Sequence, residues 1–337
     1  MKARIGRIVL VAITACLTLL APAGAQAGFT NIYFFGDSLT DTGNLFAATG
    51  GALPSSPTYF NGRFSNGPVW AEYFADALGL AGAANPAFLG GGNYAVAGAT
   101  ISDFGRTQPE LPQQLAGYLG MTGGVADANA LYVIMGGSND VVDALQTADP
   151  AAAMGNSAGL LSGMIGDLYA AGARNLLVSL IPDIGATPRL VEEGPLASAA
   201  ATQLSIGFNL ALQAILDSLE PLFDLNLYEL DLFGLQAGVL ADPAGFGFSN
   251  VSDPCKEGEL GLPPDPAQGE TLCSNPGDYF YYDAFHPTTE AHQLIALAAL
   301  NAVPEPGTLA LVALALLFVV RRTRAGAGPT AEAHPVR

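Results

Sequence analysis

Two short segments at opposite ends of the chain hold residue types that together do nucleophilic acyl chemistry. Gly36-Asp37-Ser38-Leu39 follows the apolar run 31–36 and places a serine hydroxyl where a strand ends. Asp283-Ala284-Phe285-His286-Pro287 places an imidazole three residues after a carboxylate, in a turn closed by proline. A hydroxyl is a weak nucleophile until a base takes its proton, and imidazole is the usual base near neutral pH. The spacing lets Asp283 fold back onto one ring nitrogen of His286 and leaves the other free for Ser38. Read alone, Ser38 serves equally well as a helix N-cap. Two Gly-rich turns add donors: Gly136-Gly137-Ser138-Asn139-Asp140 and Gly91-Gly92-Asn93-Tyr94-Ala95-Val96-Ala97-Gly98-Ala99. Ester cleavage needs preorganised donors for a tetrahedral oxyanion, and an amide side chain or a glycine N–H can be one.

The elements that must position these groups alternate. Short apolar runs at 31–36, 93–96, 130–135, 175–181 and 225–230 read as strands buried on both faces. Helical patterns lie between them at 68–78, 149–171, 196–219 and 287–302, two of them opening on proline. Such alternation implies a parallel sheet with helices on both faces, and ligands of such sheets bind beyond the carboxyl ends of the strands. All four chemical segments fall there. Ser38 is expected to enter a helix whose N-terminus adds a positive dipole end. Residues 241–277 are rich in Gly, Pro and Asp and read as a long ordered insertion loop.

Together the four segments resemble the blocks of the GDSL, or SGNH, hydrolases, in that family's order and across nearly the whole body. The resemblance implies a three-layer α/β/α sandwich with a five-stranded parallel sheet. It implies a Ser38–His286–Asp283 triad, with an oxyanion hole from the Ser38 and Gly98 backbone N–H groups and the Asn139 side chain; Gly92 is the alternative to Gly98. Asp41, Asn44, Asn61, Arg63 and Phe64 are expected to shape the pocket. No metal or cofactor is called for. The Gly-x-Ser-x-Gly elbow of the α/β-hydrolases follows none of the strand patterns; the spacing occurs at 155–159, inside the helical pattern 149–171. Expected substrates are lipid or short-chain acyl esters. Acetylated glycan is an alternative, as is a non-catalytic surface or matrix protein on a hydrolase scaffold.

The two ends of the chain speak of export. Lys2, Arg4 and Arg7, an apolar run at 8–20 and Ala25-Gln26-Ala27 make a signal peptide over 1–27. The hydrolase body then spans 28–302. Over 303–337, Pro304-Glu305-Pro306, an apolar run at 308–320 and the cluster Arg321, Arg322 and Arg324 resemble the PEP-CTERM sorting signal of Gram-negative bacteria. In that family an exosortase recognises the signal and removes it during export. Thirteen apolar residues are short for a bilayer span, which takes about 20, so transient membrane association is expected, with a tail anchor as the alternative reading. The destination is periplasmic, cell-surface or extracellular.

Residues 28–303 carry 5 Lys and Arg against 28 Asp and Glu, a formal charge of −23. Such a body repels phosphate backbones and argues against nucleic-acid binding. Cys16 leaves with the signal peptide, so Cys255 and Cys273 pair in an oxidising compartment. Closing an 18-residue separation is worth about 3 kcal/mol. Two cysteines without a nearby histidine do not make a zinc site, and the acidic residues of the insertion lack EF-hand spacing.

Overall fold

A computed structural model describes residues 28–303. The segments expected to be a signal peptide and a sorting signal lie outside these residues.

In chain order the elements are β1 (Ile32–Gly36), α1 (Asn44–Ala48), α2 (Trp70–Ala77), α3 (Leu111–Met121), β2 (Leu131–Met135), α4 (Ser138–Ala144), α5 (Pro150–Ala171), β3 (Asn175–Leu180), α6 (Pro188–Glu192), α7 (Pro195–Leu219), β4 (Asn226–Asp231), α8 (Leu232–Ala241), β5 (Asn250–Pro254), β6 (Tyr279–Tyr281) and α9 (Thr289–Ala302). The main sheet is parallel, in the order β1-β2-β3-β4.

Strand periodicity sorts the side chains into two cores. Phe35, Tyr132, Ile134, Leu176, Val178 and Leu180 face one side and pack with α3, α4, α5 and α7. Ile32, Phe34, Leu131, Val133, Met135 and Leu177 face the other and pack with α2, α8 and α9. Three α/β/α layers result, as expected. Helix α7 is long and apolar enough to cross a bilayer, but Ala201, Phe208, Leu212 and Leu216 bury one stripe of it in the first core. Two of the long helices, α5 and α9, start on side-chain caps. Asp149 accepts from the Ala152 N–H at α5, and Thr288 accepts from the Ala291 N–H at α9.

The five-strand expectation needs correction to four. Residues 92–96 do run beside β1, with the Phe34 N–H donating to Gly92 and the Tyr94 N–H to Phe34. The pairing remains an isolated bridge: the Val96 N–H still donates to the Gly36 carbonyl at 3.1 Å, but the Gly36 N–H is diverted to Gln114 Oε1 at 2.9 Å, and Gln114 Nε2 also donates to the Gly36 carbonyl at 2.9 Å. The insertion is also more structured than a loop. It contains β5, which pairs in parallel with β6, and a disulfide joins Cys255 to Cys273.

Candidate active site

Ser38 leaves β1 in a tight turn and does not enter a helix directly; α1 begins only at Asn44. The expected helix dipole therefore does not act at Ser38. Asp37 and Asp41 build the turn instead. Asp37 accepts from the Leu39 N–H through its side chain and from the Thr40 and Asp41 N–H groups through its carbonyl. The buried Asp41 carboxylate accepts from Gly43, Asn44 and Leu45, and reaches across to the Ala97 N–H at 2.8 Å. One side chain thus caps α1 and ties the Ser38 turn to the Gly98 turn.

His286 sits between β6 and α9, where Tyr282 and Asp283 donate backbone N–H bonds back to its carbonyl. Its Nε2 lies 2.8 Å from Ser38 Oγ, across 248 residues of sequence. Its Nδ1 lies 2.8 Å from each oxygen of Asp283. The Asp283 carboxylate is wholly buried and also accepts from the N–H groups of Phe285 and His286 and from the Tyr59 hydroxyl. Burial alone would raise its pKa; the adjacent His286 charge and these hydrogen bonds overcome that and hold it below the usual carboxylate range. The Phe64 ring packs 4.9 Å from the imidazole and closes one side.

Asn139 is the second residue of α4, which follows Gly137, whose φ of 114° favours glycine. Its Nδ2 donates to the Ala99 carbonyl at 2.9 Å, which leaves a second N–H on the same nitrogen. Gly98, at φ 85°, lines the same cavity as Ser38 and Asn139. Gly92 does not line it, and its N–H is spent on the Ala83 carbonyl. Among the described residues, the N–H groups of Ser38 and Gly98 have no protein acceptor. Donors so placed suit an oxyanion.

Several positioning groups were invisible in the sequence. Arg106 forms a two-point ion pair with Asp143, at 2.6 and 2.9 Å, and donates to the Gly98 carbonyl at 3.1 Å. It thereby ties the Gly98 turn to α4. Asp140, in the same Gly-rich block as Asn139, accepts from Ile101, Ser102 and Ser157. Of the five residues expected to shape the pocket, Phe64 lines it. Asp41 and Asn44 lie beneath it as buried braces, Arg63 is spent on Glu72, and Asn61 is exposed and does not line the cavity.

The cavity holds about 360 Å³ and is mostly apolar, with Leu45, Leu53, Leu232, Leu235, Phe280 and Ile295 among its walls. Among the described residues, no group of three or more His, Cys, Asp or Glu is placed to hold a metal ion.

A parallel α/β/α sandwich with a serine, an imidazole and a carboxylate in line at the carboxyl edge of its sheet defines a serine hydrolase class. The sequence model for GDSL-like lipase/acylhydrolase matches residues 32–299, and the PEP-CTERM protein-sorting motif matches residues 302–325. The chain belongs to the GDSL-like lipase/acylhydrolase family and is by class a carboxylic ester hydrolase, carrying a signal for export to the cell envelope. It is 33% identical to a phosphatidylcholine-sterol acyltransferase of Aeromonas hydrophila, over 70% of this chain and 68% of the relative. It is 27% identical to a thermolabile hemolysin of Vibrio parahaemolyticus, over 77% and 60%, and 30% identical to an esterase of Pseudomonas aeruginosa, over 89% and 51%. It thus spans between about half and just over two-thirds of the length of these relatives. Among solved structures, an acetylxylan esterase from Geobacillus stearothermophilus is similar at TM-score 0.43 and 14% identity, covering 82% of this chain and 95% of that one.

Proposed function

We propose that the chain hydrolyses carboxylic esters through Ser38 as nucleophile, His286 as general base and then acid, and Asp283 as the group that orients His286. The observation that carries this reading is the unbroken line Ser38 Oγ–His286 Nε2, His286 Nδ1–Asp283, each contact at 2.8 Å. His286 takes the Ser38 proton as Oγ attacks the ester carbonyl. The oxyanion is received by the backbone N–H groups of Ser38 and Gly98 and by Asn139 Nδ2. The alcohol leaves with the proton from His286, and water then releases the acid from the acyl-enzyme by the same route. Loss of one oxyanion donor costs about 3 kcal/mol of transition-state stabilisation, so Asn139→Ala should lower kcat by two orders of magnitude or more.

The cavity favours an acyl chain longer than acetyl. Its walls are largely apolar, and each buried methylene contributes about 0.8 kcal/mol, roughly fourfold in kcat/KM. A series of p-nitrophenyl esters from acetate to decanoate, run beside acetylated glycans, tests this. The expected result is a rise in kcat/KM beyond acetate and weak release of glycan acetate. A maximum at acetate would overturn the acyl-chain reading. An inert wild type, or full activity in Ser38→Ala, would overturn the triad.

The body is proposed to reach the cell surface or exterior after exosortase-type processing within 303–337, which the sorting motif supports. Mass spectrometry of exported protein should show that segment gone; an intact chain through Arg337 would contradict it.

A further inference from the structure

The Asp283 carboxylate has one hydrogen-bond partner that no acyl-transfer step uses. Tyr59, from 224 residues earlier, places its hydroxyl 2.8 Å from Asp283 Oδ2, and both side chains are wholly buried. The direction of that bond is settled by a second one. The Gly261 N–H donates to Tyr59 Oη at 3.1 Å, so a lone pair of that oxygen is occupied and its hydrogen points at Asp283. Burial first, and the Asp283 charge second, raise the Tyr59 pKa far above its ordinary value, so the phenol remains a donor at every working pH.

Tyr59 is itself held by the segment that the Cys255–Cys273 disulfide closes. Gly261 supplies the N–H just described, and its carbonyl accepts from the Ser55 N–H at 2.7 Å. The buried Lys256 places its ammonium 5.5 Å from the centre of the Tyr59 ring. That ammonium is anchored on the Glu259 carbonyl. Phe64 and Tyr282 meet the ring edge-on. Phe64 in turn packs on His286.

We propose that Tyr59 is a positioning residue for ester hydrolysis, the far end of a line Ser38–His286–Asp283–Tyr59, and that the disulfide-closed segment 255–273 is the support that keeps it in line. The proposal rests on the triad reading above. A donor on Oδ2 fixes the plane of the carboxylate, so that both oxygens face Nδ1. It also draws negative charge away from the imidazole. Without it Oδ1 keeps its backbone donors but Oδ2 is left with His286 alone, and the carboxylate favours protonated imidazole more strongly. Tyr59 does not line the cavity, so substrate binding does not depend on it directly.

Tyr59→Phe keeps the ring and removes the hydroxyl, which is both the donor to Asp283 and the acceptor for the Gly261 N–H. Assayed on p-nitrophenyl butyrate, it should show kcat lowered about tenfold, KM nearly unchanged, and the acidic limb of the kcat/KM profile moved up by roughly half to one pH unit. Tyr282→Phe is the control: its hydroxyl donates to the Thr58 carbonyl in the same aromatic cluster and not to Asp283. It should leave the acidic limb in place. Difluorotyrosine at position 59 preserves shape and donates more strongly, so it should move the limb down; it decides the matter if Tyr59→Phe does not fold. A wild-type kcat and limb in Tyr59→Phe would overturn the proposal, as would equal limb shifts in the Tyr59→Phe and Tyr282→Phe enzymes. An inert wild type would remove the triad reading, and this proposal with it. An active wild type whose position-59 variants behave identically to it would remove this proposal alone.

Discussion

Two histidines six residues apart, both withdrawn from solvent, have opposite surroundings. His286 ends in a turn, with Asp283 on one ring nitrogen and Ser38 on the other. His292 lies inside α9, wholly buried, and neither ring nitrogen has a partner. Two aspartates repeat the contrast. Every oxygen of Asp283 is engaged, and its carboxyl is held below the usual range. Asp37, next to Ser38, has one buried oxygen without a partner, and burial pushes its carboxyl up to about 6. Burial alone makes an ionisable group inert or unwilling to charge. A group becomes useful when fixed partners select its charged form and leave one atom facing the substrate cavity.

The contrast can be broken from the paired side. Ser38→Ala should cost at least about 10⁴-fold in kcat, with the melting temperature unchanged because Ser38 carries no core packing. Asp283→Asn should cost roughly 10³- to 10⁴-fold, since an amide can no longer favour the tautomer with hydrogen on Nδ1. Steady-state kinetics on a single chromogenic ester checks both. Similar losses in His292→Leu would dissolve the contrast.

The unpaired side predicts stability effects. His292 has its pKa lowered to about 3, first by burial and second by His286, against an ordinary 6.5. A depressed folded value means stability that is complete above pH 6.5 and lost as pH falls toward 3. The loss should reach up to about 3 kcal/mol by pH 4. Melting curves from pH 7 to 4 should show it in wild type and a flatter trend in His292→Leu, with ester hydrolysis retained. Asp37 has the opposite sign. Its raised value means stability that is present below pH 3.8 and lost as pH rises through about 6. Asp37→Asn keeps the acceptor for Leu39 and should be more stable at pH 7.5 by up to about 3 kcal/mol. No gain in melting temperature there would mean that the unpartnered Asp37 oxygen is solvated.

Legibility followed the distance over which each feature is encoded. Four strands and the long helices could be read because apolar periodicity is local. The fifth strand could not be judged, because the side chain that interrupts it, Gln114, comes from a helix the apolar pattern did not announce. The helix expected after Ser38 failed for a local reason: Asp37 and Asp41 hold the backbone in turns as far as Asn44. The Ser38 turn was legible as a motif, and so was the Asp283–His286 turn. Tyr59 and Arg106 were not, since one tyrosine or arginine in an irregular stretch has no spacing to mark it.

What the amino-acid sequence determined alone is what neighbouring residues settle between themselves. Strand faces alternate, caps begin helices, and Asp283 reaches His286 because three residues in a turn bring carboxylate and imidazole together. What only the tertiary structure decided is every contact whose partners are free of each other in the unfolded chain: Ser38 on His286, Tyr59 on Asp283, Arg106 on the Gly98 turn and the apolar walls of the cavity. Closing such long loops costs chain entropy that no short motif can repay. Those meetings exist because burial of the two cores brings their strands and helices together.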